Sequence, residues 1–466
     1  MQKLEVNSEE IQANQKPSKK LFMKTHGCQM NFYDSEKMRE VMGSQGFGIS
    51  DNMADSDLVI INTCHIREKA SEKMYSELGR IRKIKEARKK QGKNTIIAVA
   101  GCVAQAEGKF IKQRAPYVDI VVGPQSYSRL PAMVNNAAAG AKKNIDLDFS
   151  VIDKFDFLNE EITKQQVAKE EVKPTAFVTI QEGCDKFCTF CVVPYTRGGE
   201  YSRSVNEIYR EVLKLVESGT KEVTLLGQNV NAYHGKTYEG DIWGLGKLIE
   251  HLAKIPNLER IRYTTSHPRD CDEGLYNAHK YVEKLMPFIH LPVQSGSDKI
   301  LKAMNRKHSR DEYFRIIDKF RAARSDIEFS SDFIVGYPNE TEADFTDTYN
   351  LVEQVGFSLS YSFIYSARPG TPAANLEDEV EKEIKRERLN RLQTLLDKQM
   401  FSSLESKRDT INKAHISRKG KFAGQYLGFL PTCQPVIINN YNGKFNDIID
   451  VKIVDVKGRD LIGALV

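Results

Sequence analysis

Four short apolar runs punctuate the first part of the chain: LFMK (21–24), LVIIN (58–62), TIIAVA (95–100) and VDIVV (118–122). A stretch with helical spacing follows each of them. Runs that are apolar throughout, rather than alternating, suit strands buried on both faces. Their alternation with helices predicts a doubly wound parallel α/β domain over 21–140, of about 120 residues. The rhythm lapses over 141–173, which reads as a linker whose charged passage KQQVAKEEVKP ends at Pro174. Residues 1–20 read as a flexible tail.

A second strand and helix series starts at TAFVTIQ (175–181) and continues through EVTLLG (222–227), RIRYTT (260–265), PFIHLP (287–292), FSSDFIVG (329–336) and SLSYSFIY (358–365). Helical periodicity fills the gaps, as in VNEIYREVLKLVES (205–218). Six such units are too few for a closed eight-stranded barrel. They predict an open partial (β/α)6 barrel over 174–400 with ligands at the carboxyl ends of its strands, or else a longer doubly wound sheet. Beyond the charged helix 381–407, PVIIN (435–439) and IIDVKIVDV (448–456) shift to period two. That pattern predicts a small antiparallel β-barrel over 401–466, of a kind that often binds oligonucleotides.

Three units suit 466 residues. A composition of 40% hydrophobic and 28% charged residues excludes collagen-like, low-complexity and disordered classes. No run approaches the roughly 20 apolar residues that a membrane helix needs, and the tail lacks the apolar core of a secretory signal. A cytoplasmic protein with no membrane partner is expected. The net charge of +5 is small but local. Residues 80–93 (RIRKIKEARKKQGK) and 402–466 each carry a basic surplus, which reads as a solvated face or as nucleic-acid contact.

The cysteines carry the chemistry. Cys184, Cys188 and Cys191 form C-x3-C-x2-C directly after the first strand of the second series. Thiols so close do not make an ordinary disulfide set, and in a cytoplasmic chain they imply metal. Zinc would want a fourth ligand in the same loop, such as a histidine, and none is there. An iron–sulfur cluster on three cysteines keeps an open iron for a substrate. Cys28, Cys64 and Cys102 each stand just past the carboxyl end of a separate apolar run. Parallel sheets align those ends along one edge, so these thiols are expected to converge, although cysteine is also a common core residue. Gly27 and Gly101 precede two of them and permit close backbone approach. Cys271 and Cys433 have no companion at ligand spacing and read as structural.

The motif GCDKFCTFCVVPYTRGGEYSR resembles the signature of the radical S-adenosylmethionine (SAM) enzymes, specifically the methylthiotransferases. HGCQMNFYDSEKM, NTCHIREKASEK, GCVAQAEG, LLGQNVNAYHG, RYTTSHP, HLPVQSGSDKILKAMNRKHSR, SDFIVGYPNETEADF and YSARPGTPAA extend the resemblance from about residue 21 to 466. The PYTRG and TTSHP segments are similar to the tRNA-modifying branch, rather than to the branch that modifies an aspartate of a ribosomal protein. A non-catalytic iron–sulfur or RNA-binding protein is the remaining alternative.

The resemblance implies a methylthiotransferase domain, a radical SAM barrel and a tRNA-binding TRAM domain. It also implies conversion of N6-isopentenyladenosine at tRNA position 37 to its 2-methylthio derivative. Two 4Fe-4S clusters are implied, on Cys184, Cys188 and Cys191 and on Cys28, Cys64 and Cys102. Two SAM molecules per product, sulfide or another sulfur donor, and an external reductant complete the set. The implied partners are the tRNA anticodon loop, an electron donor such as a flavodoxin or ferredoxin, and cluster delivery proteins. Position in the barrel and family analogy suggest Phe190, Gln228, Asn229, Gly336 and Glu200 as SAM contacts, although strand-end turns also use such residues. Tyr195, Arg197 and Arg203 flank the cluster loop and would hold RNA by stacking and charge. In the TRAM part Phe429 stands where the family often has a basic residue, leaving Arg418, Lys419 and Lys421 to meet phosphates. His267 and His290 read as strand-end scaffolding.

Overall fold

A computed structural model describes residues 19–65, 70–141, 144–150, 154–155 and 173–466. The amino-terminal tail, apart from Lys19 and Lys20, and most of the charged passage 164–174 lie outside the described residues. The chain divides into two compact units, 1–161 and 162–466.

The first unit is a six-stranded parallel sheet. Its strands are β1 (Lys19–His26), β2 (Phe47–Ile49), β3 (Leu58–Thr63), β4 (Ile96–Ala100), β5 (Ile120–Val122) and β6 (Ile145–Asp146), in the order β2-β1-β3-β4-β5-β6. β3 and β4 are buried at every position, which is why they read as unbroken apolar runs. Side chains of β3 alternate between two cores, with Leu58 and Ile60 on one face and Val59 and Ile61 on the other.

The sheet does not stop at residue 140. β6 falls inside the stretch read as linker and pairs with β5, Val121 opposite Ile145. Gly123 N–H donates to Asp146 O at 2.7 Å, and Gln105 Nε2 to Leu147 O at 2.9 Å. Buried Lys154 ties the chain back further, 3.2 Å from buried Asp34.

In the second unit β7 (Thr175–Thr179) leads into the short pair β8 (Gln181–Glu182) and β9 (Tyr201–Ser202). β10 (Glu222–Leu226), the hairpin β11 (His234–Lys236) and β12 (Ile242–Gly244), and β13 (Arg260–Thr264) follow. β14 (Phe288–His290), β15 (Glu328–Val335) and β16 (Leu359–Ile364) complete the series. β7, β10 and β13 form one parallel sheet and β14, β15 and β16 another. A parallel bridge, Ile261 to Leu285, links the two. The six strands predicted for the partial barrel are therefore these, with helices packed over one face of them in a single large core. Helix starts carry strong caps: Ser309 with Glu312 and Thr341 with Asp344 each form a reciprocal capping box.

Helix Lys382–Glu405 crosses the expected domain boundary at 400 without a break. Leu392, Leu395 and Leu396 enter the large core, whereas Met400 and Leu404 enter the core of the carboxyl-terminal barrel. That barrel closes in the order β17-β18-β19-β21-β20 from β17 (Ile411–Lys419), β18 (Gln425–Phe429), β19 (Pro435–Asn439), β20 (Ile448–Lys457) and β21 (Asp460–Leu465). Its pairings are antiparallel except β19 with β21.

Candidate functional site

The loop expected to hold the cluster, the cluster loop, begins where β8 ends. Gly183 has φ +79°, and a Cβ there would lie 1.9 Å from Gly199 O, so only glycine lets the loop turn against the returning strand. Cys184 N–H donates to Gly198 O at 3.2 Å, and Cys191 N–H to Cys188 O at 2.9 Å. The carboxyl ends of the other strands then grip the loop from several sides. Gln228, after β10, accepts Gly183 N–H at 2.6 Å. Asp270, after β13, pairs with Lys186 at 2.8 Å. Asn305 Nδ2 donates to Phe187 O at 2.9 Å, and Tyr337, after β15, bonds Thr189 Oγ1 at 2.8 Å. Buried Arg306 points a guanidinium nitrogen at Cys188 Sγ, 3.4 Å away, and bonds Pro292 O.

The thiols are electrostatically coupled. Burial first, and then the neighbouring cysteines, pushes Cys191 up to about 12; burial also pushes Cys184 up to about 11. Half-buried thiolates of this kind need a compensating cation, which iron would supply. Among the described residues, the side chains as they stand do not close three donors around a single metal ion. The donor set and the loop nonetheless fit an iron–sulfur cluster: three coupled thiols beside one guanidinium, on a loop held at every turn.

Polar atoms without a protein partner follow β10 and β13 and the loop between helices Asp298–Ala303 and Arg310–Ala323: Asn229 Oδ1, Ser266 Oγ, His267 Nε2, Arg306 Nε and His308 Nε2. Such orphans are rare in a folded interior and point to a polar ligand. The rings of His267 and His308 meet edge to face at 5.9 Å. Burial, reinforced by Arg306, holds His267 well below the usual histidine range and His308 down to about 4, so both are neutral at pH 7. Arg306, Ser266 and His308 were not singled out from sequence. Within MNRKH an arginine looks like any solvated one.

The expected SAM residues divide. Asn229 is buried, with Nδ2 on Asp270 at 2.8 Å and Oδ1 available. Gln228 spends its carbonyl oxygen on the cluster loop. Phe190 packs against Ile300, Met304, Tyr337 and Tyr365, presenting an apolar wall between two cysteines. Gly336 has φ +66°, and Lys385 fills the space that a Cβ would take. Burial raises the carboxyl of Glu200, which lies 3.4 Å from His234.

Two expected RNA contacts are corrected. Arg197 is only 2% exposed and bonds Glu182 at 2.6 Å; Arg203 is 1% exposed, with Glu211 and Thr179 O each at 2.7 Å. Both guanidiniums are buried against carboxylates rather than offered to solvent. Tyr195 stays 46% exposed, and Phe187 of the cluster loop, missed in the sequence, is 52% exposed. In the small barrel Lys419 and Lys421 line a surface cleft with Phe422, Tyr426 and Tyr441, and Arg418 lies on the same strand as Lys419.

In the first unit, Cys28, Cys64 and Cys102 follow β1, β3 and β4, which are adjacent, so their backbones meet along one edge. Cys64 N–H donates to His26 O at 3.2 Å. Gly27 has φ +125° and a Cβ there would overlap Cys64 Cβ at 2.2 Å, while at Gly101 it would lie 2.9 Å from Thr63 O. Cys28 stands at the N-cap of helix Gln29–Ser44, and Cys102 opens helix Cys102–Arg114. The donor set and the glycine-permitted approach fit a second cluster.

Known proteins resemble this chain. Residues 20–123 match the model of the "Uncharacterized protein family UPF0004", and residues 178–352 that of the radical SAM superfamily. The radical SAM methyltransferase TsrM from Kitasatospora setae has a similar fold, with a TM-score of 0.56 at 10% identity over 77% of this chain and 75% of that one. Two proteins named tRNA-2-methylthio-N(6)-dimethylallyladenosine synthase are far more similar. One, from Rickettsia bellii, is 55% identical over 96% of this chain and 99% of its own length. The other, from Ehrlichia canis, is 56% identical over 96% of this chain and 100% of its own. With two cysteine sites at strand ends and that identity along almost its whole length, the chain belongs to the tRNA-2-methylthio-N(6)-dimethylallyladenosine synthase family of radical SAM proteins.

Proposed function

We propose that the chain is a tRNA methylthiotransferase that places a methylthio group on C2 of N6-dimethylallyladenosine at tRNA position 37. The observation that carries this reading is the 55% identity over 96% of the chain to a protein named for that product. Cys184, Cys188 and Cys191 would hold the cluster that works with SAM, and Cys28, Cys64 and Cys102 a second cluster that handles sulfur. A 4Fe-4S cluster and SAM bound at the loop supply one-electron chemistry strong enough to remove hydrogen from an unactivated carbon. The chain's own residues supply position and exclusion of water.

Arg306, buried beside Cys188, would pair with the SAM carboxylate, and the unpartnered Asn229 Oδ1 would accept from its amino group. Neutral His267 and His308 offer ring nitrogens to the same ligand. Sulfide or another sulfur donor, a second SAM for the methyl group, and a reductant of the flavodoxin or ferredoxin type complete the balance, with cluster delivery proteins loading the iron. Tyr195, Lys419, Lys421 and Arg418 remain as tRNA contacts. A tRNA substrate favours the cytoplasm, and among the described residues no helix is long and apolar enough to cross a membrane.

Mass analysis of nucleosides tests the reaction directly, using anaerobic protein with SAM, reductant and sulfide on tRNA with and without the prenyl group. A methylthio product on prenylated tRNA supports the reading. SAM cleavage without product on either tRNA would move the substrate elsewhere. For Arg306→Ala, the expected rise in the SAM dissociation constant is about thirtyfold, from roughly 2 kcal/mol for a buried charged hydrogen bond. Equilibrium binding checks it, and a change of less than about threefold, roughly 0.7 kcal/mol, would remove Arg306 from the SAM site.

A further inference from the structure

The last two strands of the partial barrel carry an apolar surface that no residue of the site so far uses. Strand pairing fixes which side chains share it. Asp332 is registered with Tyr361, and Ile334 with Phe363. Phe333 and Val335, which alternate with these, enter the helix-covered core. Ile334 packs instead against the cluster of Ile300, Met304, Tyr337, Tyr365 and Ala373, the same cluster that Phe190, the residue between two cluster cysteines, packs against. The face that holds Ile334 is thus the face of the cluster loop. On it Tyr361 is 51% exposed and Phe363 53%, unusual for aromatic residues inside strands. A polar strip runs beside them: His290, registered with Ser330, bonds Ser330 Oγ at 2.9 Å and stands 3.5 Å from Asp332 Oδ2.

We propose that Phe363, Tyr361 and Ile334 form the subsite for the dimethylallyl group of the substrate nucleoside, an assignment that rests on the reaction proposed above. A branched five-carbon hydrocarbon on an exocyclic nitrogen is the one part of such an RNA that gains from leaving water. The segment SLSYSFIY contains no lysine or arginine, so it is unsuited to the phosphate backbone. Ile334 and Phe190 border one apolar cluster, and Tyr337 of that cluster bonds Thr189 of the cluster loop, so a prenyl group seated along β16 would turn the pyrimidine edge of the purine, which includes C2, toward that loop. Asp332 and His290 stand beside it for the polar edge of the base. The prenyl group then acts as a handle that sets the register of the carbon to be attacked, not only as a source of affinity.

The test uses the full chain and two anticodon stem-loop RNAs that differ only in the dimethylallyl group, with dissociation constants from fluorescence anisotropy. The wild-type preference for the prenylated RNA is expected to be roughly ten- to a hundredfold, from partial burial of five carbons. Phe363→Ala should cut that ratio about tenfold. Tyr361→Phe, which keeps the ring, should preserve it, as should Tyr281→Ala on an outer helix. A ratio unchanged in Phe363→Ala overturns the subsite. So does equal weakening of both RNAs, which would mark a surface that stacks bases, and so does a wild type that does not discriminate. Nucleoside analysis of the same RNAs reads the reaction separately: a prenyl preference that depends on Phe363, with no methylthio product, would refute the reaction and leave the subsite standing.

Discussion

Cys184→Ala is expected to abolish reductive SAM cleavage, whereas Cys64→Ala should spare it and stop thiolation. Cys184 is the first of the loop's three thiols after the Gly183 turn, and its backbone is pinned to Gly198 O. Alanine leaves that backbone bond intact, so folding should survive and the loss should be one of ligand chemistry. With only three thiols in the loop, no neighbouring cysteine is free to substitute: Cys271 lies beyond β13, hydrogen-bonded by Asn231 Nδ2 at 3.4 Å, and Cys433 lies in the small barrel. Outer partners of metal ligands are typically worth 10- to 100-fold, so removal of a ligand itself should exceed about 100-fold in 5′-deoxyadenosine formed. Chromatography of 5′-deoxyadenosine and iron content per chain read both variants. Full methylthiolation by either one would end the assignment of that residue to a cluster.

Much of this site was legible because the chemistry is compressed in sequence. C-x3-C-x2-C needs no fold to be noticed, and three cysteines just past apolar runs become a constellation once the runs are taken as parallel strands. Doubly buried strands such as β3 and β4 announce themselves; β2 and β6 do not, having three and two residues and depending on their neighbours for burial. Arg197 and Arg203 were misassigned because nearness to the loop says nothing about Glu182 and Glu211, the carboxylates that consume them. Arg306 was invisible for the opposite reason, since it reaches Cys188 across 118 residues of chain. The aromatic pair on β16 looked like strand interior, because period two alone does not say which face is covered.

The attachment of the small barrel was equally hidden, and its removal should be the largest effect on stability. RIRYTT reads as an ordinary strand, yet Arg262 donates to Glu222 at 2.9 Å, to Pro431 O at 2.6 Å, to Leu430 O at 2.9 Å and to Cys433 Sγ at 3.0 Å. Arg260 adds Phe429 O and Lys413 O, both at 2.9 Å, and His415 Nδ1 faces Glu222 at 3.6 Å. Phe429, where a basic residue was expected, thus gives its carbonyl to this contact. Arg262→Ala leaves Glu222 and several carbonyls short of a donor in a buried place, at a cost of about 3–5 kcal/mol. The urea midpoint should fall accordingly, and limited proteolysis should release the small barrel near helix Lys382–Glu405. Burial alone would raise the Glu222 carboxyl, but Arg262, His415 and Arg260 outweigh it and hold the group at about 2. A carboxyl depressed in the folded state stabilises above its unfolded value, near 4.5, and that stability drains as pH falls from there toward about 2. Wild type should therefore lose more stability than Arg262→Ala across that acid window, because the variant lacks the main depressor. Equal acid sensitivity together with an unchanged urea midpoint would mean that the small barrel is held by Met400, Leu404 and their apolar neighbours alone.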